Sequence, residues 1–244
     1  MGASGKILDL VVVGAGPAGL AVAIAASSAG LDYDVIEKGV LVNSVYRFPR
    51  GMTFFTTAEL LELGDLPFVT PYAKPTREEA LTYYRRVVEA CGVEVALGET
   101  VTELRCEDGV FQVEALVGGG GETARRTRRA RNVAVATGYY DHPNCIGVPG
   151  ENLPHVSHYF DEPHPFHRRP VVVVGGGNSA AEAALALFRA GARVTLVHRS
   201  ERLSDAIKYW LKPDVENRIQ EGSLASRFRT RVVEIRPDRV VVEG

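Results

Sequence analysis

The chain has 244 residues, 45% of them apolar and 24% charged, with a formal net charge of −2. This is ordinary globular composition, enough for one large domain or two small ones, and its balance excludes a general attraction to nucleic acid or anionic membrane. Three widely separated cysteines, none in a C-x-x-C pair, exclude a disulfide framework and suit a reducing cytoplasm.

The first element is a β-branched run, Val11 to Val13, the composition of a strand buried on both faces of a parallel sheet. G-A-G-P-A-G follows, with Gly14, Gly16 and Gly19 at G-x-G-x-x-G spacing around Pro17 and Ala18. The first glycine permits a tight turn, the second lets a pyrophosphate approach the backbone, and the third lets the next helix lie against the strand. That helix runs to Gly30, a good residue just past a helix end. A second strand, Tyr33 to Ile36, then delivers Glu37 about 20 residues beyond the glycines, where a carboxylate holds ribose hydroxyls. Leu10 to Leu31 is uncharged and long enough to cross a bilayer. Yet Pro17 and three glycines interrupt its first half, and only Lys6 precedes it, beside Asp9. No membrane span or secretory signal is expected.

Lys38 to Phe68 is an irregular stretch rich in Gly, Pro and aromatics, of the kind that forms functional loops. Asn43, Ser44, Thr56 and Thr57 could hydrogen-bond a ligand at the sheet's carboxyl edge or cap short helices. Pro75 to Gly92 reads as a helix, with Thr76 and Glu79 as a capping box and Leu81, Tyr84, Val88 and Cys91 on one face, which makes Cys91 a core residue. A strand at Val93–Ala96 precedes a hairpin of Val101–Cys106 and Val110–Val117, turning at Asp108-Gly109. Cys106 shares a strand face with Leu104 and is expected to be structural. Gly118 to Gly121 reads as a flexible tip. Arg125, Arg126, Arg128, Arg129 and Arg131 read as a solvated hairpin arm rather than a nucleic-acid patch. The arm leads into a strand, Asn132 to Ala136, whose end at Thr137-Gly138 would set small residues against a cofactor.

Tyr139 to Pro170 reads as a connection between units. Its histidines, His142, His155, His158, His164 and His167, match no common zinc spacing, so no metal is expected. From Val171 the chain repeats itself: at an offset of 161 residues Gly14 falls on Gly175, Gly16 on Gly177, Gly19 on Ala180 and Gly30 on Gly191. The fold expected is α/β, with two Rossmann-like units on parallel sheets and β-hairpin arms. The first unit spans 1–165 and the second 166–244. The repeat changes at one place, where Glu37 is answered by His198, followed by Arg199 and Arg202. A carboxylate repels a 2′-phosphate and an arginine fork binds it, so the first unit suits a ribose with free hydroxyls, as in FAD or NAD, and the second suits NADP. FAD with NADPH is the consistent pairing, because a flavin accepts hydride from a nicotinamide. Asp205 to Gln220 reads as helical, and Arg231–Ile235 with Arg239–Glu243 as an antiparallel pair. A Gly-Asp near the C-terminus commonly holds a flavin's ribityl chain. The sequence has this pair only at Gly64-Asp65, so the C-terminal FAD lobe is expected to be missing from this chain.

The sequence resembles the two-dinucleotide-domain flavoproteins related to thioredoxin reductase, most of all the bacillithiol disulfide reductase (YpdA-type) branch. The residues carrying the likeness are GAGPAGL, IEKG with VNS, FPRGMTFF with ELLELGDLPF, KPTREEALTYYR, HVSHYF and VVVVGGGNSAAEAAL. The resemblance implies FAD on Gly14, Gly16, Gly19, Glu37, Lys38, Asn43 and Gly138, with Pro17, Ala18, Thr56, Thr57 and Thr137 beside it. It implies NADPH on Gly175, Gly177, Asn178, Ser179, Ala180, His198 and Arg199. The implied activity is NADPH-dependent reduction of a small-molecule disulfide, or of another electron acceptor, by a cytoplasmic homodimer. Two departures stand out, one the missing C-terminal lobe and the other in the cysteines. The branch often has a cysteine in the first glycine loop where this chain has Ala18, and only Cys145 lies near where thioredoxin reductase carries its C-x-x-C. Two other readings remain open. One is a flavin monooxygenase, echoed by Gly150, His155 and Tyr159 before the second loop. The other is a truncated, non-catalytic nucleotide-binding protein.

Overall fold

The computed structural model describes residues 6–118 and 124–244, so most of the expected tip at Gly118–Gly121 lies outside the described residues. Two compact units divide the chain, the first ending at His142 and the second running from Pro143 to Gly244.

In the first unit β1 (Ile7–Val13), β2 (Tyr33–Glu37), β3 (Val95–Leu97) and β6 (Ala124–Val135) lie parallel, and β5 (Val110–Val117) and β4 (Glu99–Glu107) extend the sheet antiparallel. The order is β3-β2-β1-β6-β5-β4. The uniform apolar run in β1 follows from burial on both faces. Val12 joins a core with Leu20, Ala23, Val35, Tyr84 and Val87, while Val11 joins Ile36, Val113 and Ala130 on the other side. Helix α1 (Pro17–Ser28) ends in a Schellman motif: the Gly30 N–H donates to Ser27 O and Leu31 N–H to Ala26 O, with Gly30 at φ +69°. A short helix α2 (Asn43–Tyr46) follows β2.

Helix α3 (Arg77–Cys91) carries the expected capping box between Thr76 and Glu79. Its buried stripe is Ala80, Tyr83, Tyr84 and Val87, with Leu81, Val88 and Cys91 packed at the flanks. The Tyr83 hydroxyl accepts from Leu63 N–H at 2.7 Å and donates to Leu66 O at 2.8 Å. Phe68 stacks on its ring at 4.3 Å, so α3 pins the irregular stretch ahead of it. Burial pushes the Tyr84 phenol up to about 12.

Two expectations in this unit need correction. Cys106 is exposed rather than structural, because β4 is the sheet's edge strand and nothing covers its outer residues; Leu104 beside it is exposed too. The arginine arm is only partly solvated. Arg128 is buried between Glu99 and Asp34, at 2.7 Å from each, and Arg126 also pairs with Glu99. Burial opposes the Arg128 charge, but the hydrogen bonds to Glu99 and Asp34 outweigh it and its pKa is raised. From β6, Arg128 thus reaches across the intervening strands to β2 on one side and β4 on the other.

In the second unit β7 (Pro170–Val174), β8 (Arg193–Val197) and β9 (Ala225–Arg227) form a parallel sheet in the order β7-β8-β9. Helix α4 (Asn178–Arg189) lies on its core with Ala181, Ala184, Leu185 and Leu187. It ends as α1 does, with Gly191 N–H on Phe188 O and Ala192 N–H on Leu187 O. The expected helix over Asp205–Gln220 is shorter: α5 runs Lys212–Gln220, and Asp205–Leu211 is a series of turns. Pro213 is at home in the first turn of α5, where its missing N–H would have had no intrahelical acceptor. Strands β10 (Arg231–Ile235) and β11 (Val240–Glu243) form the expected antiparallel pair.

Candidate nucleotide-binding sites

The first glycine loop is shaped by close backbone approach. Gly14 has φ +105°, donates its N–H to Ile36 O at 2.7 Å, and has Ala136 O where a Cβ would stand. A Cβ on Gly19 would collide with Gly14 O. Gly16, the N-cap of α1, has open space where its Cβ would be. Beyond it Ala18 and Gly19 begin a helix whose first N–H groups have no intrahelical acceptor, which favours an anionic group there.

Glu37, at the end of β2, is buried. Its Oε2 accepts from Ala15 N–H at 2.9 Å and its Oε1 from Gly39 N–H at 2.8 Å. Asn43 lies against Gly39, where a Cβ would strike its Oδ1, and Val42 N–H donates to Ala15 O at 3.1 Å. Gly138 has φ +71°, with Ser44 Oγ 3.7 Å from where its Cβ would be; the adjacent Thr137 is exposed. The fold thus gathers the glycine loop, Glu37, Asn43 and Gly138 at the carboxyl ends of β1, β2 and β6.

Lys38 Nζ pairs with Asp141 Oδ2 at 2.6 Å, and Arg47 reaches Asp141 Oδ1 at 3.2 Å. Sequence reading missed Asp141 and Gly39. Asp141 sits in a stretch with no periodic signal, and its partners lie more than ninety residues away. Thr57 takes the N-cap position of the 3-10 turn Ala58–Leu61 without a side-chain capping bond to the backbone. Its hydroxyl bonds Glu59 instead, lowering that carboxyl's pKa. Thr56 is half-buried beside it.

The second loop repeats this plan. Gly175 has φ +143° and donates to Val197 O at 3.0 Å, as Gly14 does to Ile36 O. Gly177 is the N-cap of α4, again with open space at its Cβ position. Ala180 replaces the third glycine, its Cβ 3.1 Å from where a Cβ on Gly175 would be. His198 stands where Glu37 does, but its ring occupies the space over Gly176, where any Cβ would collide with it. Burial and then the Arg199 charge lower the His198 pKa, which keeps the ring neutral. Arg199 is exposed and makes no ion pair among the described residues, whereas Arg202 is taken by Asp205 at 2.9 Å. Asn178 ties down a neighbouring loop, donating to Ala206 O and accepting from Lys208 N–H at 2.9 Å; Ser179 is exposed at the helix start.

Among the candidate residues outside the loops, Gly150 has φ +83° and no room for a Cβ against Ile235 O, so packing alone explains it; His155 is exposed. All three cysteines are free, with Cys145 and Cys106 exposed and Cys91 half-buried. Among the described residues no helix is long and apolar enough to cross a membrane.

Two glycine-loop units in one chain, each built on parallel strands, define a protein of the dinucleotide-binding class. A family model described as pyridine nucleotide-disulphide oxidoreductase matches residues 11–243. Bacilliredoxin reductase Bdr of Bacillus subtilis is 42% identical over 232 residues, which is 95% of this chain and 69% of that protein. The solved structure of bacillithiol disulfide reductase Bdr (YpdA) from Staphylococcus aureus matches with TM-score 0.91 at 36% identity, over 98% of this chain and 72% of its own. Its counterpart from Bacillus cereus matches with TM-score 0.91 at 39% identity, over 98% and 75%. The chain belongs to the pyridine nucleotide-disulphide oxidoreductase family, as a thioredoxin-reductase-like member similar to Bdr. It is accordingly an oxidoreductase of the flavin-dependent class.

Proposed function

We propose that the first unit holds FAD, that the second holds NADPH, and that the electrons reduce a low-molecular-weight thiol disulfide. The observation that carries the cofactor assignment is the exchange at the end of the second strand of each unit, where Glu37 is answered by His198 and Arg199. Glu37 presents a carboxylate beside Ala15, and the second unit presents His198, its pKa lowered, with Arg199 next to it, unpaired among the described residues. A carboxylate accepts from ribose hydroxyls, and a guanidinium takes a 2′-phosphate.

Both loops fit such ligands. The spaces at Gly16 and Gly177 allow a pyrophosphate to reach the backbone, and the N-termini of α1 and α4 supply unpaired N–H groups. Lys38 and Arg47 are paired with Asp141, while Glu37 is the carboxylate that accepts from Ala15 N–H in the loop. When bound, the two cofactors supply hydride transfer from nicotinamide to flavin. Overall, NADPH, a proton and a disulfide give NADP⁺ and two thiols.

The disulfide assignment rests on the similarity to bacilliredoxin reductase and bacillithiol disulfide reductase. Ala18 stands at the start of α1, where a thiol would be activated, so this chain leaves reduction of the disulfide to the flavin without a thiol at that place. A cytoplasmic location fits its three free thiols.

The test is anaerobic mixing of the flavin-loaded enzyme with NADPH, NADH and then bacillithiol-type disulfide. Flavin bleaching by NADPH in preference to NADH, followed by recovery with disulfide, is the expected result. Recovery only with oxygen, through a long-lived oxygenated flavin, would make the protein a monooxygenase; absence of any flavin uptake would make it a non-catalytic nucleotide binder.

A further inference from the structure

The start of the second unit folds back on itself around one carboxylate. Glu151 is buried; its Oε1 accepts from Ile146 N–H at 2.7 Å and lies 2.9 Å from His158 Nε2, and its Oε2 accepts from Gly147 N–H at 2.7 Å. Cys145 is exposed beside it, with one long contact from Sγ to Pro143 O at 3.9 Å. A ligand atom of Cys145, one of Glu151 and one of His158 all lie within 4.8 Å of one another. The frame around them is rigid. Val148, Leu153 and Val156 pack against Val232, Ile235, Val240 and Val242, and Ile235 N–H donates to Pro149 O at 2.8 Å.

Satisfying two backbone amides accounts for Glu151 but not for a thiol and an imidazole converging on it. We infer that Cys145, Glu151 and His158 form a binding site for a thiophilic divalent cation of the Zn²⁺ class. One sulfur, one nitrogen and one carboxylate oxygen make a borderline-soft donor set, with the fourth tetrahedral position left to water. Ligand atoms around such an ion stand roughly 3–4 Å apart, given metal–ligand bonds of about 2.0–2.3 Å. The Glu151–His158 pair is already at that separation, and the exposed thiol has to move by only about 1 Å. His158 then exchanges its hydrogen bond to Glu151 for the ion. Glu151 keeps its backbone donors as the support that orients a metal-bound carboxylate. Binding takes Cys145 as thiolate and releases its proton to solvent; the thiolate and carboxylate charges balance the cation. Histidine spacing alone does not expose the set, because its C-x5-E-x6-H pattern brings in a carboxylate and matches no common zinc signature.

The experiment is a titration of tag-free, reduced, flavin-loaded protein with Co²⁺ alone, followed by displacement with Zn²⁺. One equivalent of Co²⁺ with a thiolate-to-metal charge-transfer band, removed by Zn²⁺, is expected. Cys145→Ser, at an exposed position that tolerates the change, abolishes the band, His158→Gln weakens binding about tenfold or more, and a Cys91→Ser/Cys106→Ser variant keeps both. Survival of the band in Cys145→Ser overturns the assignment, as does unchanged affinity in a folded His158→Gln protein, or no band at all up to about millimolar Co²⁺.

Discussion

The carboxylate of Glu37 accepts the Ala15 amide at 2.9 Å, so the acid at the end of β2 closes the glycine loop even before a ribose meets it. Ala15 is fully buried, and Glu37 is the acceptor its N–H is given. Replacing Glu37 with Ala leaves that donor stranded, at a cost of about 1–3 kcal/mol. Flavin retention and the calorimetric melting temperature of Glu37→Ala should both fall, while NADP⁺ affinity measured by titration calorimetry stays near that of the parent. Parallel loss at both sites would mean that Glu37 supports the fold generally rather than the first nucleotide.

Arg199 is the converse case. It is exposed and unpaired among the described residues, while Arg202 is engaged with Asp205. Arg199→Ala should cost NADPH binding about 1.5–3 kcal/mol, the value of a charge-assisted hydrogen bond, with little change for NADH. Arg202→Ala should cost less. Equal weakening of NADPH and NADH by Arg199→Ala would remove it from the 2′-phosphate.

Much of this was legible in the residues because the signals were local. The glycine spacing, the Thr76–Glu79 box and the Asp108-Gly109 turn each settle backbone conformation within a few positions, and the structure carries all three. What stayed hidden depends on distant partners. Cys106 looked covered because Leu104 shares its face, but coverage depends on whether another strand lies beyond β4, and among the described residues none does. Arg128 looked solvated in a run of arginines until Glu99 and Asp34 arrived from other strands. Asp141 had no signal at all, since Lys38 and Arg47 find it only through the sheet's topology.

The third glycine separates the two loops in a measurable way. A methyl group on Gly19 would run into Gly14 O, a backbone atom that cannot swing aside, whereas the second unit already accommodates Ala180 at the same place. Gly19→Ala should destabilise the first unit by about 1–3 kcal/mol, the usual range for overpacking. Ala180→Gly should be mild, costing at most about 1 kcal/mol of helix propensity. Chemical denaturation of each variant gives the comparison; a Gly19→Ala protein as stable as its parent would show that the loop and α1 are not in close contact.

His198 predicts a pH response with a definite sign. Burial, and next the charge of Arg199, lower its pKa below 6.5, so the folded protein resists a proton that the unfolded chain accepts. Its contribution to stability is complete above the unfolded value and declines as pH falls below 6.5 toward the folded one. Below pH 6.5 His198→Gln should lose part of the stability-against-pH slope that the parent shows. Imidazole resonances followed by NMR give the pKa directly, and bound NADP⁺ should raise it if a phosphate lies alongside. A His198 titrating above 6.5 without ligand would contradict the packing of its ring over Gly176.

The last prediction concerns how electrons leave the protein. Cys91 is half-buried against the core, where its sulfur occupies the space a Cβ on Gly64 would need. Cys106 is exposed on an edge strand, and Cys145 is exposed beside Glu151. None sits at the N-terminus of α1, where Ala18 takes the position that would activate a sulfur. A Cys91→Ser/Cys106→Ser/Cys145→Ser enzyme should therefore reduce its flavin with NADPH as fast as the parent and keep most of its disulfide turnover. Stopped-flow bleaching of the flavin and thiol release measured in the same preparation separate the two half-reactions. Fast bleaching with turnover lost only when Cys145 is replaced would identify that cysteine as the redox thiol and end the direct-transfer mechanism.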